Sequence, residues 1–279
     1  TDTTHNLCFN DCEGIAIVTP SGGTPGYTYN WYDASGSVLD STITGLCDGT
    51  YNVRVTDGNG CTHISTVEIT EPSVLSGSSV EQNLLCNGVC EGEINLTPTG
   101  GTGPYSYKWY DVPGVPLSED VTGLCADTFH VQITDDNLCV DTIEAIVTQP
   151  DTLIASIISL TYILCHGEST GDAAVSQTGG VGGYTYSWFD APLDPGIPLI
   201  NNLPAGTYNV RVADANNCAD TVEFTLTEPD QPLSSEISDT VHILCKNDCN
   251  GEAKATPSGG TPDYNYSWYD IPGVPTTNR

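Results

Sequence analysis

Gly22-Gly-Thr-Pro-Gly-Tyr-Thr-Tyr-Asn-Trp31 is followed, after a variable stretch, by Leu46-Cys-Asp-Gly-Thr-Tyr-Asn-Val-Arg-Val-Thr-Asp57. The first segment places a turn signal directly before a strand in which Tyr27, Tyr29 and Trp31 share one face. The second starts at a glycine turn and then alternates through Tyr51, Val53 and Val55, the period of a half-buried strand. Both segments recur. Trp31, Trp109, Trp188 and Trp268 return at a spacing of about 79 residues. Gly22-Gly23, Gly100-Gly101, Gly179-Gly180 and Gly259-Gly260 keep the same spacing, as do Cys8, Cys86, Cys165 and Cys245. So long and regular a period marks one small domain copied in tandem. An array implies reach, stiffness and multiplicity before it implies chemistry.

The second copy shows the strand pattern. Val74–Asn83 reads as a first strand, Cys86-Asn-Gly-Val-Cys90 as a corner and Glu93–Thr97 as a second strand. Tyr105–Trp109 is a third strand, and a variable stretch, Asp111–Asp120, follows it. Phe129–Thr134 and Val140–Thr148 form a closing hairpin across Asp135-Asp-Asn-Leu138. No window has helical periodicity. Seven or so short strands, an aromatic on the third and cysteines flanking the last two predict an all-β fold, a tandem array of disulfide-stabilised immunoglobulin-like β-sandwich domains. Tyr51 and Tyr208 stand where such sandwiches carry a tyrosine corner, and Phe129 takes that place in copy two. The expected domains are 1–72, 73–150 and 151–229, with 230–279 as the N-terminal part of a fourth.

Domains of about 79 residues have thin cores, and twelve cysteines at fixed repeat positions predict disulfides and an oxidising, extracytoplasmic location. Six Lys+Arg against 36 Asp+Glu give a net charge of −30. That argues against nucleic acid, whose phosphates nothing here neutralises, and an anionic membrane would repel the chain. The charge serves solubility and mutual repulsion, with divalent-cation binding as the sharper alternative. There is no initiator Met and no run of about 18 apolar residues, so direct membrane insertion is not expected. The fourth copy stops at Arg279 before its second half, and Cys245 and Cys249 lack their usual partners. The expectation is an excerpt from a longer exported protein.

Copies one and two have four cysteines each: Cys8, Cys12, Cys47 and Cys61, then Cys86, Cys90, Cys125 and Cys139. Copy three keeps Cys165 and Cys218 but has Ser169 and Pro204 at the middle positions. Joint loss of the inner two predicts the pairs Cys12–Cys47 and Cys90–Cys125. The outer cysteines admit two pairings. They bond within a copy as Cys8–Cys61, Cys86–Cys139 and Cys165–Cys218, or between copies as Cys8–Cys139 and Cys86–Cys218. Zinc fits the Cys-x3-Cys spacing poorly, because copy three drops half of it and no histidine recurs nearby.

The turns at Asp57/Asn59, Asp135/Asn137 and Asp214/Asn216 resemble half a calcium loop, which makes calcium a possible cofactor. They equally suit a hairpin turn, where Asn, Asp and Gly take positive φ cheaply. The Tyr-x-Tyr-x-Trp strand reads as core packing in preference to a sugar-binding platform. The five histidines occupy different places in each copy, and no catalytic set recurs, so no enzyme is expected.

The order Cys, Gly-Gly-Thr-Pro-x-Tyr-x-Tyr-x-Trp, Leu-x-x-Gly-Thr-Tyr-x-Val-x-Val-x-Asp, Cys and Thr-Glu-Pro resembles the SprB-type repeat of Bacteroidota surface proteins. The resemblance implies a giant, repetitive, secreted protein of the adhesin or gliding-motility type, bacterial and located at the cell surface. Its partners would be neighbouring repeats, other copies in a filament, and an extracellular surface or polysaccharide. The function expected is that of a stiff extracellular stalk or filament for attachment or motility. Glycan- or partner-binding modules, or spacers on a secreted enzyme, are the alternatives. Asp-Ser/Thr followed by a small aliphatic or Thr resembles the O-glycosylation signal of Bacteroidota secreted proteins. It marks Thr3, Ser41, Thr142, Thr152, Thr221 and Thr240 as candidates, against the plain reading that Asp and Thr are common in acidic β-proteins.

Overall fold

The computed structural model describes residues 1–32, 40–245 and 250–268. Copy one contributes β1 (Asp2–Thr4), β2 (Gly14–Ile17), β3 (Thr28–Tyr32), β4 (Thr42–Leu46), β5 (Gly49–Thr56) and β6 (Thr62–Ile69). Copy two contributes β7 (Ser76–Gln82), β8 (Gly92–Thr99), β9 (Ser106–Trp109), β10 (Val121–Leu124), β11 (Asp127–Thr134) and β12 (Val140–Val147). Copy three contributes β13 (Ile154–Thr161), β14 (Gly171–Thr178), β15 (Thr185–Phe189), β16 (Leu199–Leu203), β17 (Gly206–Ala213) and β18 (Ala219–Leu226). The described part of copy four has β19 (Ser234–Val241) paired with β20 (Glu252–Ser258).

Each of the first three copies folds into two antiparallel sheets of three strands. The orders are β1-β2-β4 with β3-β5-β6, β7-β8-β10 with β9-β11-β12, and β13-β14-β16 with β15-β17-β18. First, second and fourth strands in one sheet, with third, fifth and sixth in the other, is the connectivity of an immunoglobulin-like sandwich. Copies two and three, described throughout, have six strands each, against the seven or so expected. The fourth strand was not legible. In β10 the buried residues are Val121 and Leu124, three apart, and the pairing with β8 shifts register between Thr122 and Leu124. Gly123 sits there at φ +73°, so the strand never shows a period of two.

One core lies between the sheets of each copy. In copy two it joins Ile94 and Leu96 of the first sheet to Trp109, Val131, Ile133 and Val147 of the second. Copy three repeats the pattern around Trp188, and copy one around Trp31. Each buried indole also finds an acceptor across the variable loop: Trp31 Nε1 donates to Asp40 O at 3.0 Å, Trp109 to Ser118 O at 3.0 Å and Trp188 to Ile197 O at 2.9 Å. A buried N–H is costly without a partner, so this bond sets where the loop must return. Tyr51 donates to Cys47 O and Tyr208 to Pro204 O, the corner bond that Phe129 cannot make.

The chain divides into two compact units, Thr1–Leu84 with Gly88–Gln149, and Leu85–Asn87 with Pro150–Arg279. The first holds copies one and two; the second holds copies three and four together with the Cys86 corner.

Candidate functional site: the cysteine corner and the turn that receives it

The closing hairpin of each copy turns around one carboxylate. Asp135 is only 3% exposed, and it accepts three backbone N–H groups: Thr102 at 2.8 Å, Asn137 at 3.0 Å and Cys139 at 2.9 Å. Asp214 accepts Val181, Asn216 and Cys218 in the same way, at 2.9, 2.9 and 3.0 Å. Asp57 accepts Thr24, Asn59 and Cys61 at 3.0, 2.9 and 2.8 Å. The N–H of Thr24, then that of Cys61, holds the Asp57 carboxyl below the ordinary aspartate range. Each carboxylate thus ties the hairpin turn to the Gly-Gly turn at the head of the third strand. The geometry also explains the second glycine. A Cβ on Gly101 would lie 2.7 Å from Asp135 Oδ2, and one on Gly100 would lie 1.9 Å from Val74 O.

The three aspartates singled out as calcium candidates are therefore engaged by backbone donors, and the paired asparagines use their amides elsewhere. Among the described residues no group of three or more His, Cys, Asp or Glu is placed to hold a metal ion. Asn59 Nδ2 donates to Thr24 Oγ1 at 2.8 Å within its own copy. Asn137 Nδ2 donates to Leu7 O of copy one at 3.0 Å, and Asn216 Nδ2 to Leu85 O of copy two at 2.9 Å. The hairpin turn of one copy thus grips the cysteine corner of the copy before it.

Disulfides lie beside that grip. Cys8 is bonded to Cys139 and Cys86 to Cys218, so of the two outer pairings open in the sequence the structure has the one between copies. The inner bonds are Cys12–Cys47 and Cys90–Cys125. Among the described residues Cys61, Cys165 and Cys245 are unbonded and exposed, and Cys249 lies outside them.

A second clamp closes each copy on itself. The Glu or Gln before the boundary proline accepts the backbone N–H of the cysteine corner, with Glu71 serving Asn10, Gln149 serving Gly88 and Glu228 serving Gly167. In the sequence this motif stands only as the Thr-Glu-Pro that ends the repeat order, although its recurrence in three copies was the available signal. The grip of the asparagine amides between copies was not legible there.

The glycosylation candidates divide by position. Thr142, Thr152, Thr221 and Thr240 are exposed; Thr3 and Ser41 are half-buried. The aspartates ahead of Thr142 and Thr221 have structural partners, since Asp141 accepts Gly77 N–H at 3.1 Å and Asp220 accepts Ala155 N–H at 2.8 Å across the two sheets. Thr152 donates to Asn87 Oδ1 at 2.9 Å. Copy one has a cavity of about 450 Å³ walled by Val18, Gly22, Val55, Asp57, Cys61 and His63. It lies beside Gly23, whose equivalents Gly101 and Gly180 meet Leu75 and Leu153. Trp31, Trp109 and Trp188 are buried, so these three indoles pack in the cores of copies one to three.

Fold and site define a class: tandem immunoglobulin-like modules in which the hairpin turns of copies two and three grip the corner of the module before. The chain belongs to the SprB repeat family, whose model matches residues 1–36, 78–114, 159–192 and 237–273, more than half of the sequence. Repeats of this family occur in cell-surface proteins, and membership describes a surface-adhesin repeat region of structural modules. No curated protein sequence matches the chain. Solved structures similar to it at low identity include the following three. A structure titled for Dscam isoform specificity is 15% identical, with TM-score 0.27, 77% of this chain covered and 65% of that one. Sidekick-1 immunoglobulin domains 1–5 are 11% identical, with TM-score 0.30, covering 88% and 63%. Protocadherin gamma B2 cadherin domains 3–6 are 11% identical, with TM-score 0.33, covering 91% and 81%. The chain spans less than two thirds of the first and second of these structures, and the fold assignment rests on its own strand order.

Proposed function

We propose that this segment is a stiff extracellular stalk within a secreted bacterial surface adhesin, holding a distal region away from the cell for attachment or movement. The observation that carries the reading is the disulfide between copies, backed by the asparagine grip at the same seam. A cross-link between modules adds little to the fold of either one, but it resists bending and twisting where they join. Near-absent linkers, with prolines at 72, 150 and 229, favour the same outcome. The net charge of −30 keeps neighbouring stalks apart, as does any glycan on the exposed threonines. Neighbouring repeats are the first partners, and a polysaccharide or cell surface the expected distal one.

The test has two arms. Antibody to this segment should label intact, unpermeabilised cells, and brief protease treatment of those cells should remove the label. Negative-stain images of the purified chain should show rods lengthening by roughly 35 Å per copy, the length of about ten extended residues. Labelling only after permeabilisation, or a compact round particle, rejects the stalk.

A further inference from the structure

The disulfides of copies one to three interlock, and their order along the chain has a mechanical meaning. Cys8–Cys139 encloses residue 86, and Cys86–Cys218 encloses residue 139, so the two closed loops overlap. Cys90–Cys125 lies inside the overlap. The shortest covalent route from Cys8 to Cys218 crosses to Cys139, runs fourteen residues back to Cys125, crosses to Cys90, runs four residues to Cys86 and crosses again. Eighteen residues of backbone are on that route, out of 210 along the chain.

We infer that these bonds form a covalent ladder that carries tension past the β-sandwiches, so that pulling cannot lengthen the chain between Cys8 and Cys218 beyond the span of the ladder even when the modules open. Eighteen residues stretch to about 65 Å at roughly 3.5 Å each. The three Cα–Cα spans of 5.7, 4.0 and 5.5 Å add little. Without the bonds the same stretch of chain would extend to about 740 Å. Non-covalent strand pairs yield under load and sulfur–sulfur bonds do not. The modules therefore hang from the load path as closed loops: opening one costs stability but yields no length. This differs from an ordinary string of immunoglobulin-like domains, where each domain that opens releases nearly its whole chain. Ser169 and Pro204 leave copy three without an inner disulfide of its own. The use of such a device rests on the stalk reading above; the covalent route does not.

The test is single-molecule stretching of the whole chain, held through cysteine-free tags at its two ends. The route from Thr1 to Arg279 through the ladder contains about 86 residues, so the oxidised chain should stop at about 300 Å. Dithiothreitol, which reduces the bonds by thiol exchange, should release the full chain to about 970 Å. Replacing Cys86 and Cys218 by serine leaves a route of about 147 residues and a limit of about 510 Å. Replacing Cys8 and Cys139 instead leaves about 111 residues, through Cys12–Cys47, and a limit of about 390 Å. An oxidised chain that reaches about 970 Å, or double variants that stop where the parent does, overturns the ladder. Both results are independent of whether the chain sits on a cell, so this inference and the stalk fail separately.

Discussion

Asp135→Asn is the most informative single substitution, because it preserves shape and changes only what the hairpin carboxylate can accept. The side chain is 3% exposed and receives Thr102, Asn137 and Cys139 N–H at 2.8 to 3.0 Å. An amide has one oxygen. Placed at Oδ1, it keeps the bonds from Asn137 and Cys139 but turns its NH₂ toward Thr102 N–H, donor against donor. Two charge-assisted bonds become neutral, losing about 1 kcal/mol each, and one buried donor is left unmet at about 1–3 kcal/mol. The expected loss is about 3–5 kcal/mol of local stability in copy two. Hydrogen–deuterium exchange reads this directly, since about 1.4 kcal/mol is tenfold in an opening equilibrium. Peptides covering 127–147 should lose protection by about 100-fold or more, while those covering 206–226 of copy three serve as the unchanged control. A chelator added to the unsubstituted protein should leave both sets alone. Protection within about threefold of the parent would refute the carboxylate's structural role. A loss of protection caused by the chelator would show that a cation, and not three N–H groups, is what the aspartate serves.

Phe129→Tyr should raise the stability of copy two by about 1 kcal/mol, because the equivalent hydroxyls of Tyr51 and Tyr208 bond the carbonyl four residues back. A lower urea midpoint would sink that reading. Leu138 holds φ +69° while 79% exposed, so Leu138→Asn should relieve up to about 1 kcal/mol without touching the core. Thermal melting checks it, and a fall in Tm would count against backbone strain at this turn. Burial, and then the charge of Glu119, push the Tyr107 phenol up to about 12. The unfolded phenol ionises near 10, so stability should decline as pH rises from there and level off above the folded value. Glu119→Gln should bring the ionisation down in an absorbance titration. His130 is raised above 6.5, first by its hydrogen bond to Asp111 at 2.8 Å, and Asp111 is lowered below 3.8 by the same bond. The histidine's contribution is full below its unfolded pKa and fades as pH rises through its folded value; the aspartate's is present above its unfolded pKa and fades on acidification. The pair therefore supports the fold most between those limits. NMR titration of Asp111→Asn should return His130 toward its ordinary value, and no movement would mean that another group sets it.

Much of the module was readable because its signals are local. Tyr105-Ser-Tyr-Lys-Trp109 alternates, its indole lands in the core, and its first tyrosine bonds Gly100 O at 2.7 Å from a turn the glycines announce. The strand Val121–Leu124 was lost for a local reason as well: a positive-φ glycine breaks the alternation on which strand reading depends. The roles of Asn137 and Asn216 were beyond that reach. Asp-x-Asn in a hairpin explains itself within the turn, and nothing in the spacing says that the amide reaches a carbonyl 130 residues away.

The sequence by itself determined the period, the sandwich core and, through the joint change to Ser169 and Pro204, which inner cysteines go together. Repetition exposes these because each copy is an independent trial of the same local physics. It could not determine the outer bonds. Every copy offers the same first and fourth cysteine, so pairing within a copy and pairing with the next leave identical spacings. Only the tertiary structure separates them, because a disulfide requires its two Cα atoms to approach within about 7 Å. The fold brings Cys8 to 5.7 Å from Cys139 and Cys86 to 5.5 Å from Cys218, and so turns four repeated residues into bonds that join one module to the next.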